Sequence, residues 1–223
     1  MIEIAQIRYR NLFINYLEIP AGITTVIGKN GCGKTSFLRI CAGIELPNEG
    51  SIFIDGKLLR ETECCWVNEF PDRNILFSRV FDEIASPLRF QYFGSDEIDS
   101  RVNNIAQFLG ISHLLTRNTY ELSGGEKMLI SFAAALVNSP EMLVLDEYDS
   151  HLDYKRNRQI EYAIMNFGYK YVLRCTQHME VAANSDFLIV LDNGIIKHTG
   201  HPNQVFPQLI DSPYYPLSWR VKA

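Results

Sequence analysis

The sequence predicts an α/β fold built on a largely parallel sheet, and three observations carry this. A β-branched run, "ITTVIG", ends on Gly28 and feeds a glycine-rich loop, then a stretch with apolar residues at helical spacing, "KTSFLRICAG". Three later apolar runs, "EMLVLDE", "YKYVLRCTQ" and "DFLIVLD", are separated by helical stretches; that alternation is the mark of strands joined by crossover helices. The chain has 223 residues and is 47% hydrophobic, enough for one large core with a subdomain.

The elements follow in order. "MIEIAQIRY" and "LFINYLEIP" alternate apolar and polar residues and read as two antiparallel strands before a turn at Pro20-Ala21-Gly22. "ITTVIG" reads as a buried strand, and the helix that starts at Lys34 stops at Gly43. "LPNEG" is a turn, and "SIFIDGKLL" and "ECCWVNE" read as strands. "RVFDEIASPLRF" and "SDEIDSRVNNIAQFLG" are amphipathic helices, the second ending at Gly110, and a further helix covers 125–138. Asp192-Asn193-Gly194 before "IIKHTG" signals a hairpin. The closing "DSPYYPLSWRVKA" fits no regular element; its Tyr214, Tyr215 and Trp219 either add to a dimer contact or cover the core, and covering the core is favoured. The expected organisation is one domain: a core with a β subdomain over 1–72 and 139–210, a helical subdomain over 73–138, and a tail over 211–223.

Composition narrows the partners. A net charge of -5 argues against a dedicated nucleic-acid binder, which normally carries a basic face. The five cysteines are odd in number and lack CxxC spacing, so neither a disulfide framework nor a zinc site is indicated. Adjacent Cys64 and Cys65 point to opposite faces of a strand. Reduced thiols in a cytosolic protein are the expectation. "MIEIAQIRYR" lacks the apolar core of a signal peptide. Runs such as "FAAALV" fall far short of the roughly 18 apolar residues a membrane helix needs.

Gly28-Lys29-Asn30-Gly31-Cys32-Gly33-Lys34-Thr35 fits G-x-x-x-x-G-K-T without a mismatch, with Ser36 following. Glycines let successive backbone N–H groups converge on phosphate oxygens, and the following helix presents its positive end. Lys34 is placed to reach the β- and γ-phosphates and Thr35 to ligate magnesium. Asp146, at the end of "MLVLDE", is the candidate second magnesium ligand, and Glu147 is the candidate group that orients or deprotonates a water.

A second glycine-bearing loop, "ELSGGEK", lies about ninety residues downstream, just before another helix. With "LSGGE" at 122–126 set between a phosphate loop and an apolar strand ending Asp-Glu, the chain resembles ABC-type ATPases to about residue 208. The resemblance implies a P-loop NTPase fold of ABC type: a mixed sheet core with an antiparallel β subdomain and a helical subdomain. It implies ATP and Mg2+ as ligands and a partner ATPase subunit packed head-to-tail. Ser123, Gly124 and Gly125 would then cap the γ-phosphate of the partner's ATP, and the two glycine loops would serve two different nucleotides. "DSHLD" at 149–153 resembles the loop linking the two sites, closed by Asp153, and His178 in "TQH" stands where the family has its switch histidine. An upstream aromatic usually stacks on adenine; Tyr9 is the candidate, with Phe13 the alternative.

Three departures stand out. Val67-Asn68-Glu69-Phe70-Pro71-Asp72 places Glu69 where the family has a glutamine that ligates magnesium. Tyr148 replaces a proline and His151 a small residue, both at the expected dimer interface. "PDRNILFSRVFDEI", "YELSGGEK" and "DFLIVLDNGIIKHTGHPNQVF" look most like ATPase subunits of energy-coupling-factor importers of vitamins and metal ions. That resemblance implies an integral membrane partner docking along residues 69–90, with Phe77, Val80 and Phe81 as candidate contacts, and a chain held at the cytoplasmic face of the cell membrane. The alternatives are a soluble ABC ATPase acting on ribosomes, DNA or cofactor assembly, and a metabolic P-loop kinase.

Overall fold

The structure, a computed structural model, describes residues 1–150 and 152–220. His151 and the end of the tail, 221–223, lie outside the described residues. Contacts divide the chain into two compact units. The first comprises Met1–Cys64, Glu141–Glu147 and the chain from Lys170 onward; the second comprises Cys65–Pro140 and Tyr148–Tyr169.

The first unit opens with β1 (Ile2–Tyr9) and β2 (Leu12–Ile19), antiparallel, with Ile2 opposite Ile19, Ile4 opposite Leu17 and Ile7 opposite Ile14. These six side chains are buried while the residues between them are partly or fully exposed; the period of two slips by one residue between Ile4 and Ile7, where Gln6 takes positive φ (53°), and between Ile14 and Leu17 opposite. β4 (Glu49–Ile54) pairs with the other edge of β1, and β5 (Lys57–Leu58) pairs with β4. "SIFIDGKLL" is therefore two strands and not one. Asp55 and Gly56, both at positive φ (52° and 78°), form the turn that reverses the chain.

The second sheet of this unit is the one that carries chemistry. β3 (Gly22–Ile27) lies between β8 (Tyr171–Cys175) and β9 (Phe187–Asp192), parallel to both, and β7 (Met142–Asp146) lies parallel along β8. β10 (Ile195–Gly200) closes the far edge as an antiparallel hairpin from β9. β7 and β8 are buried along their whole length, which is why they read as unbroken apolar runs. The register sets Val26, Cys175 and Asp146 side by side at the carboxyl ends of adjacent strands. Helix α1 (Lys34–Cys41) follows β3 directly. Short helices α6 (Met179–Ala182), α7 (Pro202–Val205) and α8 (Leu217–Arg220) complete the unit. The tail is not without structure: Tyr215 and Trp219 meet the buried ring of Phe206 edge-on, with centroids 6.5 and 5.3 Å away, and so cover the core.

The second unit starts within β6 (Cys64–Val67), at Cys65, and holds α2 (Val80–Phe90), α3 (Ser95–Phe108), α4 (Gly124–Leu136) and α5 (Tyr154–Asn166). Lys127 of α4 bonds Asp72 at 2.5 Å and ties that helix to the turn at Pro71–Arg73. Two expectations of surface contact fail here. Val80 is fully buried, because it lies on the inner face of α2 with Ile84 and Leu88, so only Phe77 and Phe81 remain half-open. Tyr148 is also fully buried, and its hydroxyl donates to Glu161, so it is a core residue and not a surface one. Among the described residues no helix is long and apolar enough to cross a membrane.

The hairpin glycine gives a sharp test. Gly194 and Gly56 share nearly the same φ (77° and 78°), but a Cβ on Gly194 would stand 1.6 Å from the Asn11 carbonyl, whereas one on Gly56 meets nothing within 4 Å. Gly56→Ala should cost about 1 kcal/mol from left-handed strain alone. Gly194→Ala should cost about 3 kcal/mol or more, because the backbone itself must move. Denaturant unfolding of the two variants measures the difference, and equal losses would refute the packing argument.

Candidate active site

The phosphate loop is shaped by its glycines. Gly28 (φ 152°) passes so close to the Leu191 carbonyl that a Cβ would come within 2.1 Å. Gly33 (φ 110°) is the N-cap of α1 and lies against Leu12. Gly31 (φ 78°) faces open space, so its requirement is conformational, and that side of the loop has room for a ligand. Asn30 and Gly31 are exposed, Cys32 is buried, and the Cys32 carbonyl accepts from the Gly194 N–H at 2.9 Å, anchoring the loop to the hairpin. Burial pushes the Cys32 thiol above its ordinary range, so it behaves as a small packing group. Ser36 is half-buried in the first turn of α1.

Lys34 is only 5% exposed. Its ammonium donates to the Gly28 carbonyl at 3.0 Å and the Lys29 carbonyl at 3.4 Å, and lies 3.7 Å from Glu147 Oε1. Thr35 Oγ1 donates to Asp146 Oδ1 at 3.1 Å. Asp146 is 7% exposed, and burial raises its carboxyl above the usual range, although hydrogen bonds from Cys175 and Thr35 pull the other way. The Cys175 thiol donates to the same oxygen at 2.9 Å, following from the strand register. Thr35, an exposed residue whose hydroxyl meets the buried Asp146 carboxylate, stands with a buried ammonium and an open glycine loop, a set that suits a magnesium–polyphosphate ligand.

Glu147 takes positive φ (46°) and turns out of the strand, its N–H held by the Cys175 carbonyl at 3.3 Å. Its carboxylate accepts from Gln177 Nε2 at 3.0 Å. Gln177 is a functional neighbour that sequence reasoning missed; only its place in "TQH" pointed to it. His178 is exposed and N-caps α6, its own N–H bonded to Thr176 Oγ1 at 2.9 Å.

Tyr9 is engaged elsewhere. Its hydroxyl bonds Glu45, beyond the carboxyl end of α1, and the Arg10 guanidinium lies 5.0 Å from its ring. An eight-residue helix runs about 12 Å, so this places the Tyr9 hydroxyl at the end of α1 away from the phosphate loop. Phe13 is 48% exposed, and its N–H bonds the carbonyl of Gly194, the residue that also holds Cys32. Geometry therefore favours the alternative aromatic, Phe13.

The remaining candidates belong to the second unit. Ser123 N-caps α4 in a reciprocal capping box: its hydroxyl receives the Glu126 N–H at 3.4 Å, and Glu126 Oε2 accepts from the Ser123 N–H at 2.8 Å and its hydroxyl at 2.7 Å. Those bonds from Ser123 hold the Glu126 carboxyl below its ordinary range. Helix α4 thus begins at Gly124, one residue earlier than its apolar pattern suggests, and Gly124 is exposed. A Cβ on Gly125 would stand 2.5 Å from Arg156 Cδ. Asp153 N-caps α5, accepting from the Arg156 N–H at 2.8 Å and from its guanidinium. Glu69 is half-buried just past β6, where Phe70 N–H bonds Asn68 Oδ1 at 2.8 Å and shapes the turn.

A family model described as ABC transporter matches residues 16–150. The chain is 32% identical over 192 residues to the spermidine/putrescine import ATP-binding protein PotA of Aliivibrio fischeri, covering 82% of this chain and 52% of that protein. It is 31% identical over 205 residues to the trehalose/maltose import ATP-binding protein MalK of Thermococcus litoralis, covering 85% and 55%. It therefore spans about half the length of the curated relatives it matches. Among solved structures, CbiO1 from Clostridium perfringens, part of the ABC transporter complex CbiONQ, superposes with a TM-score of 0.82 at 25% identity, covering 93% of this chain and 90% of that one. A dimeric ATP-binding cassette bound to ADP and Pi gives a TM-score of 0.81 at 20% identity, a likeness of fold.

The buried carboxylate yields a prediction of opposite signs. Asp146→Asn removes a charge that burial disfavours and keeps the shape. It should raise the melting temperature of the nucleotide-free protein by about 2–4 °C, roughly 1 kcal/mol at this chain length. Calorimetry checks this, and a lower melting temperature would mean that the hydrogen bonds from Thr35 and Cys175 outweigh desolvation.

Proposed function

The chain belongs to the ABC transporter family of ATP-binding domains, and from that premise we propose that it is the ATP-hydrolysing subunit of a membrane importer. One observation carries the reading: Lys34, the Thr35–Asp146 pair and Glu147 converge at the carboxyl ends of adjacent parallel strands, the crevice that open α/β sheets use for ligands.

In this reading Lys34 and the loop N–H groups from Asn30 to Ser36 hold the β- and γ-phosphates, and Phe13 covers the base. Thr35 and Asp146 would hold magnesium, which would neutralise charge on the phosphate oxygens, and Glu69 stands in the sequence where the family resemblance expects a further ligand. Glu147 orients the attacking water and takes its proton as water adds to the γ-phosphorus and ADP leaves. Gln177 fixes the carboxylate for this task, and His178 stands free to meet the γ-phosphate. Ser123, Gly124 and Gly125 of one subunit, with Asp153 near them in the fold of the family, serve the nucleotide of a second subunit.

The partners are a second cassette, identical or not, and an integral membrane subunit that holds the cargo specificity. The import relatives support an importer, the likeness to CbiO1 favours the energy-coupling-factor type, and this chain would then be peripheral at the cytoplasmic face. Phe77 and Phe81 remain the candidate contacts to the membrane subunit.

Phosphate release from purified protein tests the chemistry. Glu147→Gln should lower turnover by about 10²–10⁴-fold while nucleotide binding persists, and Lys34→Ala should lose binding. Turnover that survives Glu147→Gln would remove Glu147 from the role of base. The capping box adds a second expectation: Glu126→Gln removes a negative charge beside the phosphate-facing N–H groups and should strengthen ATP-dependent dimerisation by about 1 kcal/mol, read by light scattering. Co-purification with a multi-span membrane protein supports the importer. Recovery with ribosomes or soluble enzymes alone would overturn it in favour of a soluble ABC ATPase.

A further inference from the structure

Helix α5 opens against its own backbone field. Its first turn holds no acidic residue, and Lys155, Arg156 and Arg158 all fall within its first five positions, where cations oppose the helix dipole. Asp153 offsets Arg156. Among the described residues, Lys155 and Arg158 pair with no carboxylate, and Arg158 lies only over the Tyr154 ring at 5.8 Å.

These three cations line a cavity of about 650 Å³ within the second unit, a volume typical of small-molecule sites. Ile111, Leu114 and Leu129 form its floor, each reaching the cavity with only 1–3% of its surface. Glu126, the carboxylate among its lining residues, is committed to Ser123 through two hydrogen bonds. His113 adds a further donor. The chain as a whole carries a charge of -5, so a cavity with three cations is a local feature and not a general property of the surface. Cations gathered at a cost to the helix, above an apolar floor, suit an anion with an apolar body.

We propose that this cavity binds a small organic anion, a phosphate- or carboxylate-bearing molecule with an aromatic or aliphatic body. Its charged group meets Lys155 and Arg158, and its body lies against Ile111, Leu114 and Leu129. Arg156 ties the cavity to the loop at Gly125, because its side chain fills the space beside that glycine and also holds Asp153. An anion that draws Arg156 away from Asp153 alters the packing behind Gly125. That regulatory consequence rests on the ATPase reading; the binding does not.

The probe is 1-naphthyl phosphate, with inorganic phosphate as its control, titrated calorimetrically into the full chain. Measurements use the Lys34→Ala variant, which silences the phosphate loop, with and without Lys155→Gln and Arg158→Gln. Lys155 and Arg158 are exposed, so these variants should fold, and melting curves check it. Naphthyl phosphate should bind Lys34→Ala about tenfold more tightly than inorganic phosphate and weaken about tenfold or more when both cations are removed. In the unsubstituted chain it should fill two sites, and one after Lys155→Gln/Arg158→Gln. Unchanged affinity without the two cations, equal affinity for the two probes, or loss of all binding on Lys34→Ala alone would each overturn the proposal. If the unsubstituted chain turns over no ATP and yet binds naphthyl phosphate in a way that depends on Lys155 and Arg158, the cavity stands and the ATPase reading falls.

Discussion

A single buried ammonium organises the first unit. Lys34 is almost wholly removed from water, and a cation in that position must be surrounded by oxygen. The chain supplies two carbonyls of its own phosphate loop and, at longer range, the Glu147 carboxylate. The loop must therefore curl back on its own side chain, which needs glycines at positive φ, and Glu147 must leave its strand at once, which puts it in the left-handed region. Much of the local geometry follows from keeping one positive charge inside.

The parallel register does the rest. Asp146 and Cys175 face one another because β7 and β8 end together, and β3 delivers Gly28 to the same level. Side chains far apart in sequence meet through backbone pairing alone. That explains what was legible beforehand and what was not. The phosphate loop and its strand and helix are written locally, in glycine spacing and apolar periodicity, and the fold class followed from them. The Cys175–Asp146 and Gln177–Glu147 bonds depend on a strand register no local pattern encodes. Tyr148 looked like an interface residue because burial inside the second unit depends on packing between helices, whereas the helical spacing of Val80 already allowed a place in the core.

Some misses had a signal in plain view. Asp55-Gly56 is a turn dipeptide lying inside a run read as one strand. Ser123 and Glu126 stand at the spacing of a capping box, and the same residues also read as a phosphate-facing loop. The two readings compete physically as well. The hydroxyl proton that a phosphate oxygen would receive is spent on Glu126, so ligand-facing donors in the free chain are the backbone N–H groups.

The left-handed backbone at Glu147 has a bearing on how such a chain evolves. A non-glycine residue there carries strain of order 1 kcal/mol, which glycine would relieve at once and asparagine in part. A lineage released from the need to turn over nucleotide relieves that strain by drifting to either residue, but the change leaves the buried Lys34 ammonium without its carboxylate, so the drift is favoured only once the lysine has been lost as well. Glycine or asparagine after the strand-end aspartate in a related chain, together with a neutral residue in place of the loop lysine, would then be a fossil of lost activity.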